Sequence, residues 1–306
     1  MSDHALKHAP PAIDNELEYE RRMKRNKPGS LPYIWNRVRK DPAAMISIII
    51  VLLLFVLSIF SPFICKYDYR EFNFSKKFNL PSLEHPLGND EIGRDILSRV
   101  LYGAKFTMTI GIASSLFSCL LGIVFGAISG YYGGWVDGLM MRFLDVFQAF
   151  PQILLAIALS TVFGPGFWQI IFALGITGIP GFARMMRANI LTVRSSEYVE
   201  AAISINCSTR QVIAKHVIPN AISPLIIQLA MGIASAGLSA SSLSFLGFGV
   251  KAPNPEWGAM LSSARQYIRD YPHLVIIPGL FIMATVLAFN LIGDAVRDAL
   301  DPKLRD

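Results

Sequence analysis

Few side chains in this sequence could do covalent, metal or proton chemistry. Cys65, Cys119 and Cys207 are far apart and odd in number, which suits neither a disulfide framework nor a metal site. Cys119 lies in an apolar run and reads as a small packing residue. No Gly-x₄-Gly-Lys-Ser/Thr run is present to cradle a phosphate, so the chain is expected to bind no nucleotide and to catalyse nothing itself. The middles of the long apolar runs carry no Asp, Glu, His, Lys or Arg. Their most polar residues, Gln148, Gln152 and Gln228, do not titrate. An ion-driven carrier needs a titratable group at that depth. A secondary transporter is therefore disfavoured, and any energy source is expected outside this chain.

Charged residues gather instead at the ends of the apolar runs. Gly88 to Arg99 begins as a turn and becomes a helix in which Asp95 and Arg99, four apart, can pair. A helix fixing the entry of a span accounts for it. Asp294, Arg297, Asp298 and Asp301 form a charged helix end, for which anchoring at the membrane surface suffices. Between residues 195 and 220 the pattern is that of two short helices. Ser196 caps the first, with Glu197 in its first turn. Asn206 stops it in a left-handed turn. Ser208 and Gln211 form a capping box for the second, and Pro219 ends it. Val199, Ala202, Ile203 and Ile205 give the first helix an apolar side, which must lie on its own bundle, on lipid or on a partner.

The elements that position these residues are membrane spans. The chain is 53% hydrophobic and only 16% charged, against about 25% charged in soluble domains. Its net charge of +6 suits residues that flank spans at an anionic leaflet better than nucleic-acid binding. Charge-free runs long enough to cross a bilayer predict an all-α membrane protein. Its six spans are Ala43–Ile64, Phe106–Tyr131, Val146–Gly164, Gly166–Ala183, Leu225–Phe248 and Tyr271–Gly293. No cleaved signal is evident. The cluster Arg21, Arg22, Lys24, Arg25 and Lys27 places the N-terminal tail, and with an even number of spans the C-terminus too, in the cytoplasm. The organisation is then a tail over 1–42, whose first 30 residues have the composition of a mobile segment, a first span over 43–64 and an external segment over 65–105. A five-helix core over 106–294, containing a cytoplasmic loop at 195–220, and a tail over 295–306 follow. Gly122, Gly126 and Gly130 make a smooth ridge for close helix approach. Gly232, Ala236 and Ala240, among several serines, either do the same or line a passage. Pro151, Pro180 and Pro278 interrupt or bend spans.

Glu200-Ala201-Ala202, a turn residue and Ile218-Pro219 resemble the EAA signature of ATP-binding-cassette importer permeases, E-A-A-x₃-G-x₉-I-x-L-P. Asn206 stands at the Gly position, His216 at the Ile and Ile218 at the Leu. Asn adopts the same left-handed turn. Gly88-Asn89-Asp90-Glu91-Ile92-Gly93-Arg94-Asp95-Ile96-Leu97-Ser98-Arg99 resembles the G-T-D-x-x-G-R-D-x-x-S-R signature of the dipeptide, oligopeptide and nickel permeases, with Asn89 for Thr. Gly103 to Thr107, Tyr131 to Asp137, Ser244 to Gly249 and Asn290 to Pro302 also fit that group. The resemblance covers nearly everything after residue 40 and indicates the C-type subunit.

That resemblance implies the type I ABC importer permease fold in a bacterial inner membrane. It implies a B-type permease as partner, two ATPase subunits that use ATP-Mg, and an external binding protein that delivers solute. It also implies contact with the ATPase through Glu200, Ala201, Ala202, Asn206 and Pro219. Short peptides are the expected cargo, ahead of nickel chelates or glutathione. Arg94, Glu256 and Trp257 are weaker candidates for facing the binding protein.

Overall fold

A computed structural model describes residues 31–300. The basic cluster at 21–27, most of the N-terminal tail and Asp301 lie outside the described residues. Among the described residues the chain is helical. Five helices are long and apolar enough to cross a membrane, six if the bent pair over 134–163 counts as one span.

α1 (Leu31–Val38) is a short amphipathic helix that buries Ile34 and Val38 against Ala44, Ala295 and Ala299. α2 (Pro42–Ile64) starts where Asp41 accepts from the Ala43 N–H at 2.9 Å, with proline in its first turn. Most of its apolar side chains face outward, as a lipid-facing helix requires.

α3 (Ile96–Tyr132) starts ten residues before the expected Phe106. Arg99 and Lys105 had delimited the predicted span, but charge at a helix end does not stop a helix. Arg99 is buried and ion-paired, and Lys105 is exposed. Gly133, at φ 65°, ends α3 in a conformation that favours glycine.

The expected third span is not the single run Val146–Gly164. Its place is taken by α4 (Gly134–Gln148) and α5 (Gln152–Phe163), bent by 87° across residues 149–151. Pro151 donates no hydrogen bond and disfavours helix at Phe150, which is sufficient reason for the break.

α6 (Phe167–Arg194) runs well past Ala183, because Arg184 and Arg187 find carboxylates on α4. α7 (Glu197–Ser204) follows directly. α8 is a single winding over 209–221 with a wide π stretch at Val212–Val217. α9 (Ser223–Phe245), α10 (Trp257–Ala264) and α11 (His273–Leu300) complete the fold. α6 and α11 continue through Pro180 and Pro278.

The glycine ridge of α3 lies against α6. A Cβ on Gly126 would stand 2.6 Å from the Met186 Cβ, and one on Gly130 would stand 2.9 Å from the Ile190 Cβ. Backbone-to-backbone approach of this kind replaces the hydrophobic drive that helices lack in lipid.

The segment between α2 and α3 is a folded cap. Phe78 stacks on Tyr271, two residues before α11, at 4.3 Å. The expected pair of Asp95 with Arg99 does not form. Asp95 caps α3 through the Ser98 N–H at 2.8 Å and meets His85 at 2.9 Å. Arg99 turns to Asp90 at 3.4 Å, and Arg94 binds the same carboxylate at 2.6 Å. One carboxylate serving two buried guanidinium groups holds the turn against the start of α3.

Candidate functional site: a helical relay beside an uncharged cavity

Two features lie at the two ends of one run of packed and ion-paired helices. The first is α7. Val199 and Ala202 are buried against Val212 and Val217 of α8 and against the end of α6, while Tyr198, Ile203 and Ile205 are exposed. The apolar residues predicted for one side are thus divided between the bundle and an outward face. Glu200 and Ala201 share the outward face, whereas Ala202 is buried against the bundle.

The ends of α7 explain its stability. Ser196 supplies no side-chain cap. Its hydroxyl donates back to the Val193 carbonyl at 2.5 Å, joining α7 to α6. Asn206 sits at φ 62°. Its N–H reaches the Ile203 carbonyl at 2.9 Å, and the Cys207 N–H reaches the Ala202 carbonyl at 3.2 Å. This pair of bonds is the Schellman closure of a helix C-terminus. The Ser208–Gln211 capping box then starts α8.

Pro219 does not end α8, contrary to expectation. The π stretch adds a residue just before it, and Asn220 Nδ2 donates to the His216 carbonyl at 2.6 Å. Pro219 and Asn206 are both exposed. Asn189 of α6 donates to the Ala221 carbonyl at 3.2 Å and closes the unit on itself.

The second feature is a cavity of about 520 Å³ at the α4–α5 break, walled by α3, α6 and α9. Gln148, Gln152 and Gln228, the three amides singled out in the apolar runs, all line it. Gly178, Gly181 and Gly232 keep its walls low, and a Cβ on Gly181 would stand 3.3 Å from Gln228 Nε2. Of the serines on α9, Ser235 lines the cavity, while Ser241 donates to Glu256 at 3.4 Å. Small and hydroxylated residues therefore serve both packing and the cavity wall. Irregular backbone at membrane depth is tolerated where it borders such a space.

Two ion pairs connect these features, and the sequence reading missed them. Arg187 Nε and Nη2 reach Asp137 at 2.6 and 2.5 Å, and Arg184 reaches Asp145 at 2.5 Å. Ser129 of α3 also donates to Asp137. Arg184 and Arg187, three apart, lie on one face of α6. That spacing, beside the acids of α4, was the available signal. α7 thus continues from α6, and α6 is tied to the helix that ends at the cavity.

Arg94, Glu256 and Trp257 do not face outward. Trp257 is fully buried and donates from Nε1 to the Val100 carbonyl at 2.9 Å. Glu256 caps α10 by accepting from Gly258 and Ala259 at 2.9 and 2.8 Å, and it accepts from Thr107 at 3.2 Å. Burial pushes its carboxyl above the usual range, against the lowering effect of these hydrogen bonds. Both residues wedge α10 between α3 and α9. Arg94 is held by Asp90 and Glu91. Among the described residues, no group of three or more His, Cys, Asp or Glu is placed to hold a metal.

A broken crossing on an uncharged cavity, next to a helix unit that presents an outward face, defines a transport subunit of the membrane. Residues 122–306 match the model of the binding-protein-dependent transport system inner membrane component. Residues 32–81 match the N-terminal TM domain of oligopeptide transport permease C. The chain belongs to that transport-component family, as a C-type permease subunit of an ATP-driven importer, and is itself non-catalytic.

It is 40% identical over 271 residues to the dipeptide transport system permease protein DppC of Alkalihalophilus pseudofirmus, covering 89% of each chain. It is 44% identical over 272 residues to the glutathione transport system permease protein GsiD of Escherichia coli O6:K15:H31, covering 89% of this chain and 90% of that one. A structure of the MetNI methionine ABC transporter in inward-facing conformations superposes with a TM-score of 0.55 at 17% identity, covering 66% of this chain and 96% of that one. The type I permease fold is shared.

Proposed function

We propose that this chain forms half of a passage for short peptides and transmits ATP-driven motion to it through α7. The observation that carries the reading is the relay itself: an outward-facing helix, continuous with α6, ion-paired to the broken crossing at the cavity. The names of the relatives support solutes with amide bonds, dipeptides in one case and glutathione in the other. Glutathione is the second cargo reading for that reason.

In this assembly Glu200 and Ala201 meet the ATPase, with Tyr198 and Ile205 completing the outward face. Asn206 shapes the turn behind them, and Ala202 holds α7 to the bundle. Pro219 supports α8 beneath. The second membrane half is a B-type permease, two ATPases supply ATP-Mg hydrolysis, and an external protein delivers the solute. The membrane is the bacterial inner membrane, with both termini in the cytoplasm.

Affinity purification from native membranes in mild detergent tests the assembly. Recovery of a second permease and one or two ATPases is expected, whereas isolation of the chain alone in a folded state would overturn it. Cells lacking the chain, and lacking redundant importers, should resist a toxic tripeptide. Unchanged sensitivity would remove peptides as cargo.

A further inference from the structure

We propose that the cavity at the α4–α5 break is a subsite for the amide backbone of the solute, and that it does not read the charge of the solute's side chains. This rests on the peptide-passage reading above. The volume of about 520 Å³ lies in the range of sites that hold small solutes, roughly 300–1,000 Å³. The polar part of its wall consists of amides and hydroxyls, and no Asp, Glu, Lys, Arg or His lines it.

Each glutamine offers an acceptor and two donors, the same kinds of group that a peptide bond presents in complement. Gln148 and Gln152 are exposed residues of the cavity wall and offer that capacity to a solute.

The electrostatics point the same way. Asp137, Asp145, Arg184 and Arg187 lie on the neighbouring helices but are engaged with one another, and none lines the cavity. A neutral wall gives no first-order preference for a cationic or an anionic side chain. A single fixed charge at cavity distances would give one, of about fivefold or more at an effective dielectric near 20. Glycines at 178, 181 and 232 admit close approach of neighbouring wall residues, with Ser118 Oγ 2.4 Å from where a Cβ on Gly178 would stand. The wall therefore recognises the constant part of a peptide and ignores the variable part.

The test uses the complete importer in proteoliposomes, with Ala-Ala-Ala, Ala-Lys-Ala and Ala-Glu-Ala each supplied on saturating loaded binding protein, so that capture does not enter the rate. The wild type should move all three within about twofold. Gln152→Glu should favour the Lys peptide over the Glu peptide by about fivefold or more, and Gln152→Lys should invert that order. Gln152 is exposed in the single chain, so both variants should insert normally. Ser235→Asp, at a second exposed cavity position, is the replacement if they do not. A wild type that discriminates tenfold, or charged variants that transport with an unchanged ratio, overturns this proposal alone. Failure of the wild type to move any of the three overturns the peptide reading and this proposal with it.

Discussion

Arg187 grips Asp137 through two parallel hydrogen bonds, 2.6 Å from Nε to Oδ1 and 2.5 Å from Nη2 to Oδ2. Fork-to-carboxylate geometry fixes orientation as well as distance. It therefore sets the angle at which α4 leaves α6, and with it the position of the break at the cavity. A point charge would not do this, so lysine at 187 is not a conservative change.

Arg187→Ala should leave the chain in the membrane but lower transport per ATP hydrolysed several-fold, because motion of α6 no longer moves α4 in step. Loss of one partner of such a partly exposed pair costs about 0.5–1 kcal/mol. The exchange Asp137→Arg with Arg187→Asp should restore part of the loss. Transport and ATPase rates measured on the same proteoliposomes check this, and unchanged coupling in Arg187→Ala would remove the pair from the relay.

Substitutions on the two sides of α7 should fail differently. Ala201→Trp, on the outward face, should leave thermal stability unchanged and abolish co-purification of the ATPase. Ala202→Trp overfills a buried position and should destabilise the chain itself, by about 1–3 kcal/mol. Melting curves and pull-downs of the two variants separate the effects, and equal loss of stability in both would place α7 wrongly.

The turn after α7 predicts a simple series. Asn206 holds φ at 62°, so Asn206→Gly should be neutral or slightly favourable. Asn206→Val should cost about 1–2 kcal/mol, because a β-branched residue is strained there. Thermal unfolding in detergent gives the order, and Val matching Gly would contradict the turn.

The glycines of α3 and α4 provide a matched contrast. Gly126→Leu places atoms where Ala183 and Met186 already stand and should prevent accumulation in the membrane. Gly138→Ala meets nothing within 4 Å and should be tolerated, with a small gain of about 0.5–1 kcal/mol in helix stability. Membrane yield by immunoblot checks both. Normal yield of Gly126→Leu would show that α3 and α6 are not this close.

Glu256 gives a pH dependence. Its folded carboxyl lies above the ordinary value of 4.5 because it is buried. A raised carboxyl favours the folded state while neutral, so its contribution is complete below 4.5 and is lost as pH rises through the folded value. The Glu256→Gln variant should lack that falling limb. Melting temperatures measured from pH 4 upward test it, and an identical slope in the variant would assign the dependence elsewhere.

What could be read along the chain was local. The Asn206 turn and the Ser208–Gln211 box depend on residues within a few positions of one another. The glycine ridge follows from a four-residue rhythm. Span boundaries were less legible, because runs were counted by absence of charge. Arg99, Arg184 and Arg187 are charges that the folded chain pairs, so the helices extend through them. The partner choices of Asp90 and Asp95 depend on how the segment before α3 folds back, which spacing alone does not encode. Burial of Glu256 and Trp257 likewise depends on Gly103, which has no side chain to bar Trp257.

The packing of Ile34 and Val38 on Ala295 and Ala299 has a consequence for biosynthesis. α1 and α2 leave the ribosome long before the surface on α11 that receives α1 is made. Until α11 has entered the membrane, the apolar side of α1 has no seat and must wait at the bilayer surface or on a chaperone. A chain cut short before residue 295 would display that unseated helix, a mark by which a membrane protease could distinguish unfinished molecules from finished ones.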